Sequence, residues 1–347
     1  MSGGVDSSVA AALLARQGHD VIGLSMQLYD QTGGQRQFGS CCTLDDLHDA
    51  RRVAARIGIP HYIVNFEEKF NDTVVSDFVR EYAAGRTPIP CVHCNGDLKF
   101  ATLVERAAGF GAEWVATGHY ARVDRDEQTG RYRLRRGADA AKDQSYFLFT
   151  LTQAQLAHAL FPLGDLDKPT VRARARELEL AVADKRDSHE ICFVPGRDHA
   201  SFLEQHGIRE SSGVIQDLDG RAVGRHDGVH RFTVGQRKGL GLPSPIPLYV
   251  VGIDAGSNAV TVGPRSALEK RELTASRVNW ISGLTPAPGT RVAAQIRHRH
   301  QEAAAAVTPI GDDRVSLDFD EPQAAIAPGQ ALVMYSGDEV VGGGWID

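Results

Sequence analysis

Met1-Ser2-Gly3-Gly4-Val5-Asp6-Ser7-Ser8 opens the chain and runs into a helical pattern over Ser7–Gln17 that stops at Gly18. Gly3 and Gly4 permit backbone angles closed to other residues and let a ligand approach the main chain. Ser2, Ser7 and Ser8 place hydroxyls beside backbone N–H groups at a helix start, where an anion is favoured. The pattern GxxxxGK followed by Ser or Thr is absent, and with it the lysine that reaches the outer phosphates in common NTPases. Asp6 instead offers a carboxylate suited to Mg²⁺ beside a pyrophosphate. A plain helix N-terminus also uses Ser, Gly and Asp. The whole string, SGGVDSS, favours a pyrophosphate-cradling loop.

Outward from this loop, the first half alternates helix and strand. Strands are expected at Val21–Met26, Tyr62–Val64 and Trp114–Thr117, and helices at Leu44–Ile57, Glu67–Ala84 and Leu98–Ala108, the last capped by Asn95. Such alternation implies a doubly wound α/β fold with a parallel sheet, and ligands on such sheets bind at the carboxyl ends of the strands. Ser2–Ser8, Met26 and Thr117-Gly118-His119 therefore share one edge. A loop of this kind normally follows a central strand of about five or six residues. A chain beginning at Met1 lacks it, so the natural protein is expected to start upstream, or this form to bind ATP poorly.

The pattern changes near Pro195, and from about Gly213 the chain reads as short strands and glycine turns. Strands at Arg291–His298, Ala303–Thr308, Arg314–Phe319 and Ala331–Tyr335 suggest a small antiparallel β-barrel at the C-terminus. Three domains are expected, at 1–197, 198–264 and 265–347. No apolar run approaches the roughly 20 residues that span a bilayer, and no signal peptide is evident, so a cytoplasmic enzyme is the default reading. The net charge of −6 argues against an indiscriminate nucleic-acid binder. Local basic concentrations at Arg131–Arg136, Arg172–Arg186, Arg231–Lys238 and Arg297–Arg299 are each most simply solvated faces. Together they would suit a track for a polyanion.

Five cysteines do not suggest a disulfide framework. Cys41-Cys42 carries little functional weight. Cys91-Val92-His93-Cys94, before a helix, reads as a redox pair, half a zinc site or part of an iron–sulfur site. A helix N-terminus near Cys94 would favour its thiolate. Of the histidines, His119 is the strongest candidate because it follows a strand at the active edge, whereas His93 is either a thiolate neighbour or a spacer.

Together, SGGVDSS, ARRVAARIGIPHYIVNF, AGRTPIPCVHCNGDLKF, ATGHYA, KDQSYFLF, ICFVPGR and GQRKGLGL resemble, in order, the tRNA-specific 2-thiouridylases. The resemblance implies ATP on Met1, Ser2, Gly3, Gly4, Val5, Asp6, Ser7 and Ser8, with Met26 and Gly118 around the adenine and ribose. It implies adenylation of the 2-carbonyl oxygen of the wobble uridine, with Cys192 carrying a persulfide delivered by a sulfur relay protein or a cysteine desulfurase. Cys94 would be the nucleophilic or resolving partner, forming a disulfide as sulfur moves. Ile89, Pro90, Cys91, His119, Lys142, Asp143, Gln144, Arg297, His298 and Gln330 would meet tRNA, and Arg237 and Lys238 its phosphates.

One departure is Cys91, which stands where many relatives carry Asp, so an acid's role there is lost. A second chemistry for the same thiolates is a 4Fe–4S cluster on Cys91, Cys94 and Cys192 with one open iron. Outside this family, the loop alone fits an ATP-pyrophosphatase acting on a small metabolite, or a non-catalytic tRNA-binding or sulfur-carrier protein.

Overall fold

The computed structural model describes residues 1–28, 44–187, 191–194 and 198–347. Cys41 and Cys42 lie outside them. The described chain divides into two compact units, residues 1–74, 91–197 and 338–340 in one, and 75–90, 198–337 and 341–347 in the other.

In the first unit the glycine loop leads into α1 (Val5–Arg16), followed by β1 (Gly23–Gln27), α2 (Leu44–Ile57) and β2 (His61–Asn65). Strands β1 and β2 run parallel, with Leu24 opposite Tyr62 and Met26 opposite Val64. The backbone nitrogen of Met1 donates to the Leu24 carbonyl, and the Ser25 hydroxyl to the Met1 carbonyl. Parallel pairing needs a crossover, and α2 supplies it. The apolar faces of α1 and α2 meet through Val9 and Val53, which are buried with Tyr120, Leu163, Val171 and Leu180.

The helix expected at Glu67–Ala84 is present in three pieces: α3 (Glu67–Phe70), a π-helical segment at Asn71–Val75, and α4 (Ser76–Ala83). The second break is more consequential. A helical stretch begins at α5 (Pro90–His93), widens to a π-helix over Cys94–Phe100 and narrows again in α6 (Ala101–Gly109). Apolar spacing cannot reveal one added residue per turn, so the expected helix at Leu98–Ala108 is here longer and begins earlier. Asn95 caps nothing, because the chain is already helical there and its side-chain oxygen accepts from Lys99 Nζ at 3.0 Å.

Beyond it come β3 (Val115–Ala116), the hairpin β4 (Ala121–Arg125) and β5 (Tyr132–Arg136), α7 (Gln153–Leu156), β6 (Ala159–Leu160) and α8 (Lys168–Glu177). Strands β3 and β6 form a second parallel pair. Asp167 caps α8 by accepting from Thr170 N at 2.8 Å, and a proline in the first turn fixes its start.

The second unit carries α9 (His199–Gln205), then β7 (Gly213–Gln216), β8 (Ala222–His226), β9 (Tyr249–Asp254) and β10 (Ala259–Gly263), which form a four-stranded sheet in the order β8-β7-β10-β9. Six strands follow: β11 (Glu269–Trp280), β12 (Thr290–Gln295), β13 (Ala303–Ile310), β14 (Arg314–Ala324), β15 (Ala331–Ser336) and β16 (Glu339–Ile346). They close into an antiparallel barrel because β11 also pairs with β16, Ala275 opposite Ile346 and Trp280 opposite Gly342. Closure removes unpaired strand edges. Strand β12 stops at Gln295 rather than at His298. His300 N there bonds the Arg297 carbonyl at 3.1 Å, and Arg299 turns at a φ of +62°. No described helix is long and apolar enough to cross a membrane.

Leu317 and Val307 face one another in the barrel core and are fully enclosed with Phe319 and Met334. Leu317→Ala should lower the unfolding free energy by about 2–5 kcal/mol, the usual range for a buried leucine. Urea unfolding followed by tryptophan fluorescence measures this, and a loss below about 1 kcal/mol would contradict the packing.

Candidate active site

Gly3 sits at a φ of +70°, and a Cβ built on it would lie 2.1 Å from the Asp46 carbonyl oxygen, so α2 rests directly on the loop. Gly118 meets the loop from the other side: its Cβ would fall 2.6 Å from Ser7 N and 2.7 Å from the Asp6 carbonyl carbon. The structure thus brings Ser2–Ser8 and Gly118 together, while Met26 lies on β1, whose Ser25 bonds Met1. Within the loop, Ser7 Oγ accepts from Ser2 N at 3.1 Å. Ser8 is fully buried and its hydroxyl donates to the Gly4 carbonyl at 2.8 Å, so it shapes the turn.

Asp6 stands in the first turn of α1, where the helix end favours its negative charge. Lys168 Nζ reaches both of its carboxylate oxygens at 2.8 Å, and the Tyr120 hydroxyl donates to Oδ1 at 2.8 Å. Burial, then the Asp6 charge, raises the Tyr120 pKa and keeps its proton in place. Sequence reading missed Lys168, whose signal was the helix start Asp167-Lys168-Pro169. Lys168 also bonds Asp187 at 2.8 Å, and Asp187 takes Lys142 at 2.7 Å and Arg172 at 3.0 Å. Burial would raise the Asp187 pKa, but the hydrogen bonds from Lys142 and Lys168 prevail and hold it at about 2. On the α2 side, Lys185 Nζ bonds the Gly3 carbonyl at 3.0 Å, Asp46 at 2.6 Å and Asp49 at 2.7 Å.

The basic concentrations are therefore largely internal. Arg133 pairs with Asp124 and Asp126, Arg135 with Asp124 and Asp338, and Arg136 with Asp143. Arg172 and Lys185 brace the loop region, and Arg231 pairs with Glu204 and Glu210. The expected polyanion track loses most of its charge to these partners. Arg237 and Lys238 remain exposed.

Cys94 is buried, Cys91 exposed and Cys192 half-buried, and no disulfide forms among the described residues. Cys94 is the fifth residue of a helical stretch, beyond the first turn where the dipole acts most strongly. The expected helix-end activation is correspondingly weaker. His93 Nδ1 pairs with Asp97 at 2.7 Å. Gly96 is packed so closely that its Cβ would lie 2.3 Å from Thr150 Oγ1. α3 packs against the Cys94–Phe100 segment, and its Phe70 ring meets Phe193 edge-on at 5.5 Å. That helix is thus a common neighbour of both cysteine segments. His119 Nδ1 shares a proton with Thr117 Oγ1 at 2.9 Å, between the Phe100 and Phe161 rings. Crowding, then the Lys99 charge, pushes its pKa down to about 3, although part of its edge stays accessible.

In the second unit, Ile89 and Pro90 are buried, and Gln330 Nε2 donates to the Thr87 carbonyl at 2.9 Å. Arg297 donates to the Ala324 carbonyl at 3.1 Å, and His298 is exposed in the turn after β12. Among the described residues no three His, Cys, Asp or Glu side chains gather as a metal-ligand set. Asp6 is engaged by a cation at both oxygens and does not stand ready for Mg²⁺.

Family models match the chain along three segments: a tRNA methyl transferase HUP domain at residues 1–196, a tRNA methyl transferase PRC-barrel domain at 200–264, and an aminomethyltransferase β-barrel domain at 270–346. The tRNA-specific 2-thiouridylase MnmA of Geotalea uraniireducens is 54% identical over 353 residues, spanning 100% of this chain and 93% of that protein. The chain belongs to the tRNA-specific 2-thiouridylase family. The protein of that name from Solibacter usitatus is 53% identical over 100% of this chain and 98% of its own length. A U34-tRNA thiolase, NcsA from Methanococcus maripaludis, solved with its 4Fe–4S cluster, is 18% identical over 59% of this chain and 62% of its own, at a TM-score of 0.34. That likeness is too slight to bear on this chain's chemistry.

Gly118→Ala would press a methyl group onto the loop backbone and should weaken ATP binding on the order of 10-fold or more, because small misplacements of a binding group are costly. Isothermal titration reads it, and an unchanged affinity would place the nucleotide elsewhere. Two half-buried histidines contribute to the acid limb of stability. Burial, chiefly, pushes the pKa of His119 down to about 3 and that of His300 to about 4, from the ordinary value of 6.5. The unfolded chain therefore takes up protons first, and stability present above pH 6.5 is lost as pH falls toward 4. Urea midpoints at neutral pH and near pH 5 should show this decline, and equal midpoints would contradict it.

Proposed function

We propose that the protein is an ATP-dependent tRNA sulfurtransferase that converts the 2-carbonyl of the wobble uridine to a thiocarbonyl. The observation that best supports this is one unit holding both the pyrophosphate-type loop, braced by Lys168 and Lys185, and two cysteine segments joined through α3. The family models' descriptions name methyl transfer, the relatives' name thiolation. A loop suited to a nucleotide polyphosphate, in the same unit as two cysteine segments, suits the second chemistry, since methyl transfer requires neither.

In this reading ATP lies along Met1–Ser8 with Met26 and Gly118 at its nucleoside end. The uridine O2 attacks the α-phosphate and pyrophosphate leaves. The terminal sulfur of a Cys192 persulfide, supplied by a relay protein or a cysteine desulfurase, adds to C2, and AMP departs with the former carbonyl oxygen. The Cys94 thiolate then attacks the inner sulfur of Cys192 and breaks the S–S bond. Sulfur stays on C2 and a Cys94–Cys192 disulfide forms, which an external dithiol must reduce. His119, neutral at physiological pH, would serve as a hydrogen-bonding neighbour of the base rather than as a charge. The base must be unstacked to reach such a site. Domain limits of 1–197, 198–264 and 265–347 go with this reading.

Incubation with ATP, a persulfide source and unmodified tRNA, followed by nucleoside mass spectrometry, should show 2-thiouridine. Cys94→Ser and Cys192→Ser should each abolish product while leaving ATP binding intact. Full product from either variant would refute that cysteine's role.

A further inference from the structure

The helical stretch that carries Cys94 also brings a lysine to its side. In an α-helix residue 99 would stand about 140° around the axis from residue 94. The stretch is instead π-helical over Cys94–Phe100, and an i→i+5 ladder sets residue 99 over residue 94. The observed contact agrees: Lys99 Nζ runs back toward the start of the stretch and donates to Asn95 Oδ1 at 3.0 Å. Asn95 is only 5% exposed, so this is no solvated pairing on a helix surface. A buried amide holds the ammonium at the residue next to Cys94.

The same ammonium adjoins the nucleotide side of the unit. Burial first, and then the Lys99 charge, lowers the pKa of His119 and keeps it neutral. The ring of Phe100, the next residue after Lys99, lies 6.4 Å from the His119 ring. His119 follows Gly118, whose Cβ would fall 2.6 Å from Ser7 N in the glycine loop. A neutral imidazole offers a base a hydrogen bond but no charge. Lys99 brings the charge, between the nucleophile's helix and the turn that meets the loop.

Sulfur transfer calls for a cation at such a place. When O2 takes the α-phosphate, the N3 proton passes to water and the adenylated uracil ring is neutral. The persulfide then adds as an anion. Its electron pair forms the S–C2 bond, the C2–N3 π pair moves onto N3 and O4, and the ring is negative. The N3 pair next re-forms the double bond, and the C2–O pair leaves with AMP.

We propose that Lys99 is a further catalytic residue, its ammonium facing the negative charge that the uracil carries between sulfur addition and AMP departure. The inference rests on the thiolation reading above and names the group that eases its second half.

Single-turnover reactions of ATP and unmodified tRNA, with protein preloaded from a chemical persulfide donor, separate the two halves. Pyrophosphate release reports adenylation, and nucleoside mass spectrometry reports 2-thiouridine. In Lys99→Met, 2-thiouridine formation should fall on the order of 100-fold, the usual loss when one preorganised group facing developing charge is removed. Pyrophosphate release, ATP affinity and tRNA affinity should stay within about twofold, and adenylated tRNA should accumulate. Lys99→Arg keeps the charge and should recover most of the rate. Lys99→Gln can still donate to Asn95 without a charge, and should be as slow as Lys99→Met.

Three results would overturn the proposal: normal 2-thiouridine from Lys99→Met, recovery by Lys99→Gln equal to that by Lys99→Arg, or pyrophosphate release falling as steeply as thiolation. The second would make Lys99 a structural partner of Asn95, and the third would assign it to adenylation. A wild-type protein that formed no 2-thiouridine would sink the functional reading and this inference with it. Wild-type product beside an unimpaired Lys99→Met would sink the inference alone.

Discussion

The ion pair between Asp6 and Lys168 is the constraint on which the nucleotide region depends. Lys168 is buried, and removing an ammonium from water costs several kcal/mol unless good partners replace the water. It has two carboxylates, Asp6 and Asp187, at 2.8 Å each. Removing one partner of a buried pair typically costs about 3–5 kcal/mol. The partly exposed face of Asp6 reduces that figure here. The pair is better understood as a device of geometry than of stability: it joins the first turn of α1 to the first residue of α8 and so fixes where the loop's backbone N–H groups point.

Charge balance around the loop then limits how an anion can be held. Lys142, Lys168, Arg172 and Lys185 are each engaged by one or more of Asp6, Asp46, Asp49 and Asp187. The positive charge of these side chains is therefore largely offset. What remains is the helix end and the backbone, which is the arrangement expected for a loop without the phosphate-reaching lysine of common NTPases. The same pairing explains how a chain with a net charge of −6 reads as basic in patches: its arginines are spent on nearby aspartates.

Much of this was legible in the sequence where the signal is local. The loop, α1, α2, the paired strands and four of the barrel strands follow from glycine positions and apolar period. The cysteines and Gly118 stood out by motif. What was not legible is non-local. Lys168 gave no sign that it would lie against Asp6, 162 residues away, and closure of the barrel through β11 and β16 depends on pairing that no single segment encodes. Asn95 was misread as a cap because the helix start was assigned at Leu98, about two turns after Pro90 where the helical stretch begins. The sequence pattern also cannot show the π-helical widening at Cys94–Phe100, since apolar spacing is nearly the same on either side.

Gly96 lies within that widening, where an ordinary residue would drive its Cβ into Thr150, whose buried hydroxyl has no hydrogen-bond partner among the described residues. π-helical turns cost backbone geometry and persist mainly where a site requires them. Here the extra residue falls between Cys94 and the core side chains Leu98 and Phe100, both fully buried. Leu98 and Phe100 anchor this stretch to the core and so fix the backbone that carries Cys94 at its start.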